Sequence, residues 1–203
     1  EKCEYTGLAI GQWRSVGAGG RARFGLACVR RQALKGFREL AEVRRRIVRR
    51  GLDIQTYGVD PHVNFLQGHI HNESDKRPAP PLTDHRIQKL YSRCGVFIST
   101  SRHEGLSMTP LEAMSCGAPV VMFNADGNME YAVDGENCLI ASDPADMADK
   151  VERVLTDRGL ANQLSLNGQA TARKYASWLE PVNRFASFLG QFQVVETPLD
   201  SVT

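Results

Sequence analysis

Apolar runs are short in this 203-residue chain: none approaches the ~20 residues that a bilayer crossing needs, and no leader-like succession of basic, apolar and small residues is visible. Cysteine is sparse. The five thiols, Cys3, Cys28, Cys94, Cys116 and Cys138, are odd in number and form no Cys-x-x-Cys pair, which does not suggest a disulfide framework. Three of them sit in or beside apolar, strand-like runs, as buried thiols of a reducing compartment do. The expectation is a cytoplasmic protein, or one peripheral to the cytoplasmic face of a membrane. Charge of one sign is scarce as well: 25 Lys and Arg against 23 Asp and Glu leave a net +2, so no global field points to nucleic acid and none is expected as a partner. Metal ligands do not gather. His69 and His71 alternate on a strand end with no third ligand in view, so no metal site is expected. No dinucleotide-cofactor loop is expected either. Gly17-Ala-Gly-Gly-Arg-Ala22 superficially matches the fingerprint, which requires a helix at once, whereas Phe24–Val29 reads as a strand. There is no internal repeat.

What is present is a regular alternation. With 42% apolar residues the chain can bury one sizeable core. A strand over 24–29 leads into a helix over about 36–50 with Phe37, Leu40, Val43 and Ile47 on one face, closed by Gly51. Strands follow at 53–58 and 63–67, then a surface loop over 71–83 containing Pro78, Pro80 and Pro81. Asp84 caps a helix ending near Cys94, with Ile87, Leu90 and Tyr91 facing inward. Strands at 95–100 and 119–123, a short helix at 128–133, a strand at 137–141 and helices at 144–156, 159–175 and 178–192 complete the order. The sum is an α/β fold with a Rossmann-like, doubly wound parallel sheet of about six strands over 23–193. Residues 1–22 read as a linker or the remnant of a preceding domain, and 194–203 as a flexible tail. Arg44, Arg45, Arg46, Arg49 and Arg50 crowd one helix end, where cations are favourably placed; a solvated face is the simpler reading and contact with an acidic membrane surface the sharper one. Trp178 and Phe185, at helical spacing, suit core or interdomain packing, or an exposed apolar patch.

The most informative stretch runs from Ser101 to Met122. Two carboxylates, Glu104 and Glu112, are separated by seven residues across a glycine-bearing turn that opens a helix. Thr109 suits the N-cap, Pro110 the first helical position and Glu112 the acid of a capping box, so a capping role for Glu112 is one reading. The order strand, turn, helix, strand puts a helix N-terminus at the carboxyl end of a strand, where open α/β sheets bind anions.

Glu104-Gly-Leu-Ser-Met-Thr-Pro-Leu-Glu112 and Cys116-Gly-Ala-Pro-Val-Val121 together resemble the signature of the group 1, retaining glycosyltransferases of GT-B architecture. The resemblance extends over about 24–190, through Arg30 and Lys35-Gly36, Phe65-Leu-Gln-Gly68, Leu90-Tyr91, Gly127-Asn-Met-Glu130, Val133-Asp-Gly-Glu-Asn137 and Leu139-Ile140. It implies one half of a GT-B enzyme, the C-terminal nucleotide-sugar-binding domain. By that resemblance Arg30 and Lys35 contact the diphosphate of a UDP-, GDP- or ADP-linked donor, with no further cofactor required. Glu104 faces the donor sugar, Glu112 accepts the ribose hydroxyls, and backbone near Gly68, His69 and Ile70 holds the base. Gly105, Leu106, Ser107, Met108 and Thr109 form the phosphate turn through the N–H groups of residues 107–109, and the leaving phosphate takes the acceptor's proton. Surface cations are the alternative for Arg30 and Lys35. The sequence departs from the family at Ser107, often Gly, at Cys138, usually Gly, and in the long 71–83 loop. The N-terminal acceptor-binding half is missing, so the chain alone is not expected to be fully active. Sugar-phosphate synthases and sugar-nucleotide epimerases of the same fold, and a non-catalytic nucleotide-binding domain, are the competing functions.

Overall fold

The computed structural model describes Ile10 and residues 13–15, 20–29, 33–58 and 83–191. Their elements are β1 (Phe24–Val29), α1 (Phe37–Arg49), β2 (Asp53–Gly58), α2 (Asp84–Arg93), β3 (Val96–Ser99), α3 (Met108–Ser115), β4 (Val120–Phe123), β5 (Leu139–Ala141), α4 (Pro144–Thr156), α5 (Arg158–Arg173) and α6 (Leu179–Leu189). The strands form one all-parallel sheet in the order β2-β1-β3-β4-β5. Five strands are thus present among the described residues; the strand expected at 63–67 lies outside them, as does the 71–82 stretch of the expected loop.

Alternation along the strands builds two cores. Val96, Ile98, Val121 and Phe123 point to one face and meet Leu40, Val43 and Ile47 of α1 and Met147, Val151 and Val154 of α4. Phe97, Val120 and Met122 point to the other and meet Tyr91 of α2 and Leu111, Ala113 and Met114 of α3. Both faces being covered, β4 is apolar at every position, as a central parallel strand must be. Asp143 caps α4 conventionally, its Oδ1 accepting from the N–H groups of Ala145 and Asp146 at 2.7 and 2.9 Å, with Pro144 in the first turn. Backbone donation to that carboxylate lowers its pKa. The short helix expected at 128–133 is a single 3-10 turn over Gly127–Glu130.

Parts of the first 22 residues pack onto this domain. Ile10 is buried and donates its N–H to the Tyr175 carbonyl at 2.8 Å. Arg21 Nη1 donates to the carbonyls of Tyr91, Ser92 and Cys94 at 3.1, 3.2 and 3.2 Å, and Nη2 to that of Cys116 at 3.2 Å. One guanidinium therefore serves the carbonyl-rich C-termini of both α2 and α3, where orphan acceptors and the negative dipole end coincide. Cys94, Cys116 and Cys138 are buried free thiols, pushed by burial to about 12.

Helix α6 differs from the rest. None of its residues is buried, and Leu179, Val182, Phe185 and Leu189, with Trp178 before them, are about half exposed or more. Trp178 and Phe185 belong to that apolar face rather than to the core. Among the described residues no helix is long and apolar enough to cross a membrane.

Candidate functional site

The chain leaves β1 toward the α1 face and β3 toward the α3 face, so a crevice opens between the carboxyl ends of these neighbouring strands. Two charged side chains meet there. Lys35, from the turn after β1, places Nζ 2.8 Å from both carboxylate oxygens of Glu104, which follows β3. Both are mostly buried, at 19% and 14% side-chain exposure, so the pair is not an ordinary solvated bridge.

Each partner is held by backbone. Gly36 adopts φ 68°, and a Cβ there would lie 1.8 Å from the Thr100 carbonyl oxygen. The Thr100 hydroxyl donates to the Lys35 carbonyl at 3.3 Å and the Arg102 N–H to the Leu34 carbonyl at 3.1 Å, which ties the lysine turn to the end of β3. On the other side the Gly127 N–H donates to the Glu104 carbonyl at 3.2 Å. A Cβ on Gly127 would fall 1.2 Å from the Gly105 carbonyl oxygen, so only glycine lets these two loops touch.

The start of α3 corrects the capping scheme read from sequence. The N-cap is Ser107, two residues before Thr109, and its own side chain makes no capping bond. The cap comes from a distant segment: fully buried Asn128 accepts the Ser107 N–H on Oδ1 at 3.0 Å, and Tyr131 donates its hydroxyl to the Ser107 carbonyl at 3.2 Å. The Ser107 N–H is thereby engaged by Asn128. Pro110 falls at the third helical position and has no N–H, which leaves the first-turn donors of Met108 and Thr109. Glu112 is the fifth helical residue, too far along for a capping box. Its Oε2 instead lies 3.4 Å from the Tyr91 hydroxyl, which also hydrogen-bonds the Tyr57 hydroxyl.

Lys35, Glu104, Ser107 and Thr109 line one cleft together with Cys28 and Thr100. Gly105 and Met108 are exposed beside it, while Leu106 packs partly against the core. Arg30, Gly68, His69 and Ile70 lie outside the described residues. The sequence does not mark Asn128, Tyr131, Tyr57 and Tyr91 as site residues, although Asn128 and Tyr91 fall within the family matches Gly127-Asn-Met-Glu130 and Leu90-Tyr91. Of the five arginines at the carboxyl end of α1, Arg45 and Arg46 pair with Glu42, and Arg50, its C-cap, pairs with Asp149 and Glu152. Among the described residues no group of three or more His, Cys, Asp or Glu could hold a metal ion.

Residues 79–171, just under half of the chain, match the family described as Glycosyl transferases group 1. An uncharacterized glycosyltransferase of Methanocaldococcus jannaschii is 32% identical over 94 residues, 45% of this chain and 26% of that protein. A serotype-specific mannosyltransferase of Escherichia coli, WbdA, is 33% identical over 97 residues, 48% of this chain and 12% of its own length. Among solved structures, Staphylococcus aureus TarM, crystallised with UDP among other ligands, superimposes with a TM-score of 0.69 at 19% identity, covering 87% of this chain and 37% of that one. The match to the group 1 glycosyltransferases is thus confined to residues 79–171, the fold is like that of a GT-B glycosyltransferase domain, and the chain spans about a quarter or less of these two curated relatives.

Proposed function

We propose that this domain binds the nucleotide diphosphate sugar donor of a retaining glycosyltransferase that transfers a hexose. The observation that supports it most directly is the Lys35–Glu104 pair, set between the carboxyl ends of β1 and β3 and beside the start of α3. A departing diphosphate gains charge as the anomeric centre becomes cationic. A partly buried ammonium and the first-turn N–H groups of Met108 and Thr109 supply fixed positive ends for it. Glu104 is then placed for the sugar hydroxyls and Glu112, one turn further along α3, for those of the ribose. Arg30 would add a second cation, and the backbone at Gly68, His69 and Ile70 the contacts to the base. Phosphate binding through lysine, helix terminus and arginine demands no divalent metal. TarM, a fold neighbour, was crystallised with UDP, which is consistent with this donor class.

Calorimetric titration with UDP, GDP and ADP tests the reading. One of the three should bind the chain. Lys35→Ala should then cost diphosphate affinity about 1.5–3 kcal/mol, the worth of a charge-assisted hydrogen bond, while leaving nucleoside affinity nearly unchanged. Glu112→Gln should weaken nucleoside and diphosphate alike. Binding by none of the three, or variants that lose only folding stability, would show these residues to be structural.

Transfer needs the acceptor hydroxyl held at the anomeric carbon, and such positioning supplies roughly 7–11 kcal/mol of a barrier. The chain alone is proposed to lack the partner half that does this. Supplied with sugar nucleotides and simple or lipid-linked acceptors, it should yield no glycosylated product at an ordinary rate of about 1 per second by mass spectrometry; turnover at that rate would show a complete site. The proposed membrane-surface contact runs through Arg44, Arg45, Arg46, Arg49 and Arg50, of which Arg44, Arg45 and Arg49 line an apolar pocket with Val48. Failure to co-sediment with anionic vesicles would remove it.

A further inference from the structure

We propose that Tyr91, backed by Tyr57, is a positioning residue that fixes the carboxylate of Glu112 for the ribose diol and so sets the preference for ribonucleotides over deoxyribonucleotides. The proposal rests on the reading of Glu112 as the ribose acceptor and goes beyond it.

Three elements meet at this point. Tyr57 lies near the carboxyl end of β2, Tyr91 in the last turns of α2, and Glu112 in the middle of α3. The Tyr91 ring is fully buried between Trp13, Tyr57 and Phe97, with centroids 5.8, 6.0 and 5.4 Å away. A phenylalanine would fill that space equally well. The hydroxyl is the part that packing does not explain, because a buried phenol oxygen is costly unless it is hydrogen-bonded. It reaches Glu112 Oε2 at 3.4 Å and the Tyr57 hydroxyl at short range.

Hydrogen counting gives the chain a direction. Two phenols carry two protons for two contacts, and an ionised carboxylate can only accept. Tyr91 therefore donates to Glu112, and Tyr57 donates to Tyr91. Burial first, and then the charge of Glu112, raises the pKa of Tyr91; burial chiefly raises that of Tyr57, so both remain donors. Donation from Tyr57 polarises the Tyr91 hydroxyl and strengthens its bond to the acid.

The mechanical consequence concerns the last torsion of the glutamate. That rotation is broad in an unrestrained side chain. Bidentate acceptance from two vicinal hydroxyls requires the carboxylate plane to match the diol. A contact on Oε2 from the core side restricts the rotation before the ligand arrives, which lowers the ordering cost of binding.

The test compares UDP, GDP and ADP with their 2′-deoxy forms, by calorimetry, on wild type, Tyr91→Phe and Tyr57→Phe. Wild type should favour the ribonucleotide of whichever base it binds. Tyr91→Phe should lose about three- to tenfold in ribonucleotide affinity and less than about twofold for the deoxy form, so that the ratio collapses. Tyr57→Phe should shift the ratio in the same direction by less. In a Glu112→Gln background, Tyr91→Phe should change the ratio no further. A merely structural tyrosine would lower both affinities together and leave the ratio intact. An unchanged ratio in Tyr91→Phe overturns the proposal while leaving the role of Glu112 standing. Absent ribose preference in wild type, or no binding at all, overturns the role of Glu112 and this proposal with it. If Tyr91→Phe does not fold, Tyr57→Phe decides, and an unchanged ratio there has the same force.

Discussion

Gly36→Ala is expected to destabilise the domain by about 2–4 kcal/mol and to reduce nucleoside diphosphate affinity to that of Lys35→Ala. Two costs combine. A left-handed alanine costs roughly 1 kcal/mol or somewhat more. The new Cβ would also sit 1.8 Å from the Thr100 carbonyl oxygen, a backbone atom at the end of β3 that cannot rotate away. The turn must move, and Lys35 moves with it, away from Glu104. Gly51→Ala separates the two costs: Gly51 has φ 73°, yet a Cβ there meets nothing within 4 Å. It should lose only the roughly 1 kcal/mol of the left-handed conformation and bind nucleotide normally. Urea denaturation and calorimetry on both variants give the comparison. Equal losses in the two would mean that the close approach to Thr100 does not constrain the turn.

Arg21→Ala is expected to cost about 3–5 kcal/mol, the largest single-residue loss outside the apolar core, because four carbonyls lose a charged donor at once. These are the last carbonyls of α2 and the C-cap of α3, and the side chain also fills the space beside Gly117, whose Cβ would lie 2.5 Å from Nη2. Arg21→Lys should recover only part of the loss. An ammonium is a single point, whereas the guanidinium fork spans two helix ends. The urea midpoint with an unchanged m-value is the measurement. A loss below about 1 kcal/mol would mean that water replaces the guanidinium at those carbonyls.

These two positions differ in how visible they were beforehand. Gly36 stood next to a lysine in a recognisable pattern. Arg21 gave no signal, since its partners are backbone oxygens 70 to 95 residues away and carbonyls leave no trace in composition. The strands at 24–29 and 53–58 and the helix at 144–156 were legible to the residue, because apolar periodicity and a local Asp-Pro cap decide them. The start of α3 was misplaced by two residues for the opposite reason. Thr109 and Pro110 offer a plausible local cap, but Asn128 supplies a tertiary one that fixes the helix start at Ser107. Glu104 and Lys35 could be named from the sequence, but not their mutual contact. Tyr57 reads as an ordinary strand residue, and Tyr91 as an inner-face helix residue within the Leu90-Tyr91 match, with no site role given to either. Only the side-by-side placement of β2, α2 and α3 joins them to Glu112.

Helix α6 has a consequence for local stability. Eleven residues fall short of the length at which an isolated helix persists in water, and an Arg184–Glu180 contact of 3.1 Å runs along this one's surface. Because none of its side chains is buried, opening the helix exposes less apolar area than opening any buried element, and its unfolding is expected to couple only weakly to that of the sheet. Denaturant sensitivity follows surface newly exposed, so α6 is expected to contribute less than the buried elements to the cooperative transition of the domain. Its amide protons therefore exchange by fraying, on a timescale set by a few residues, while those of β3 and β4 wait for the whole molecule to open.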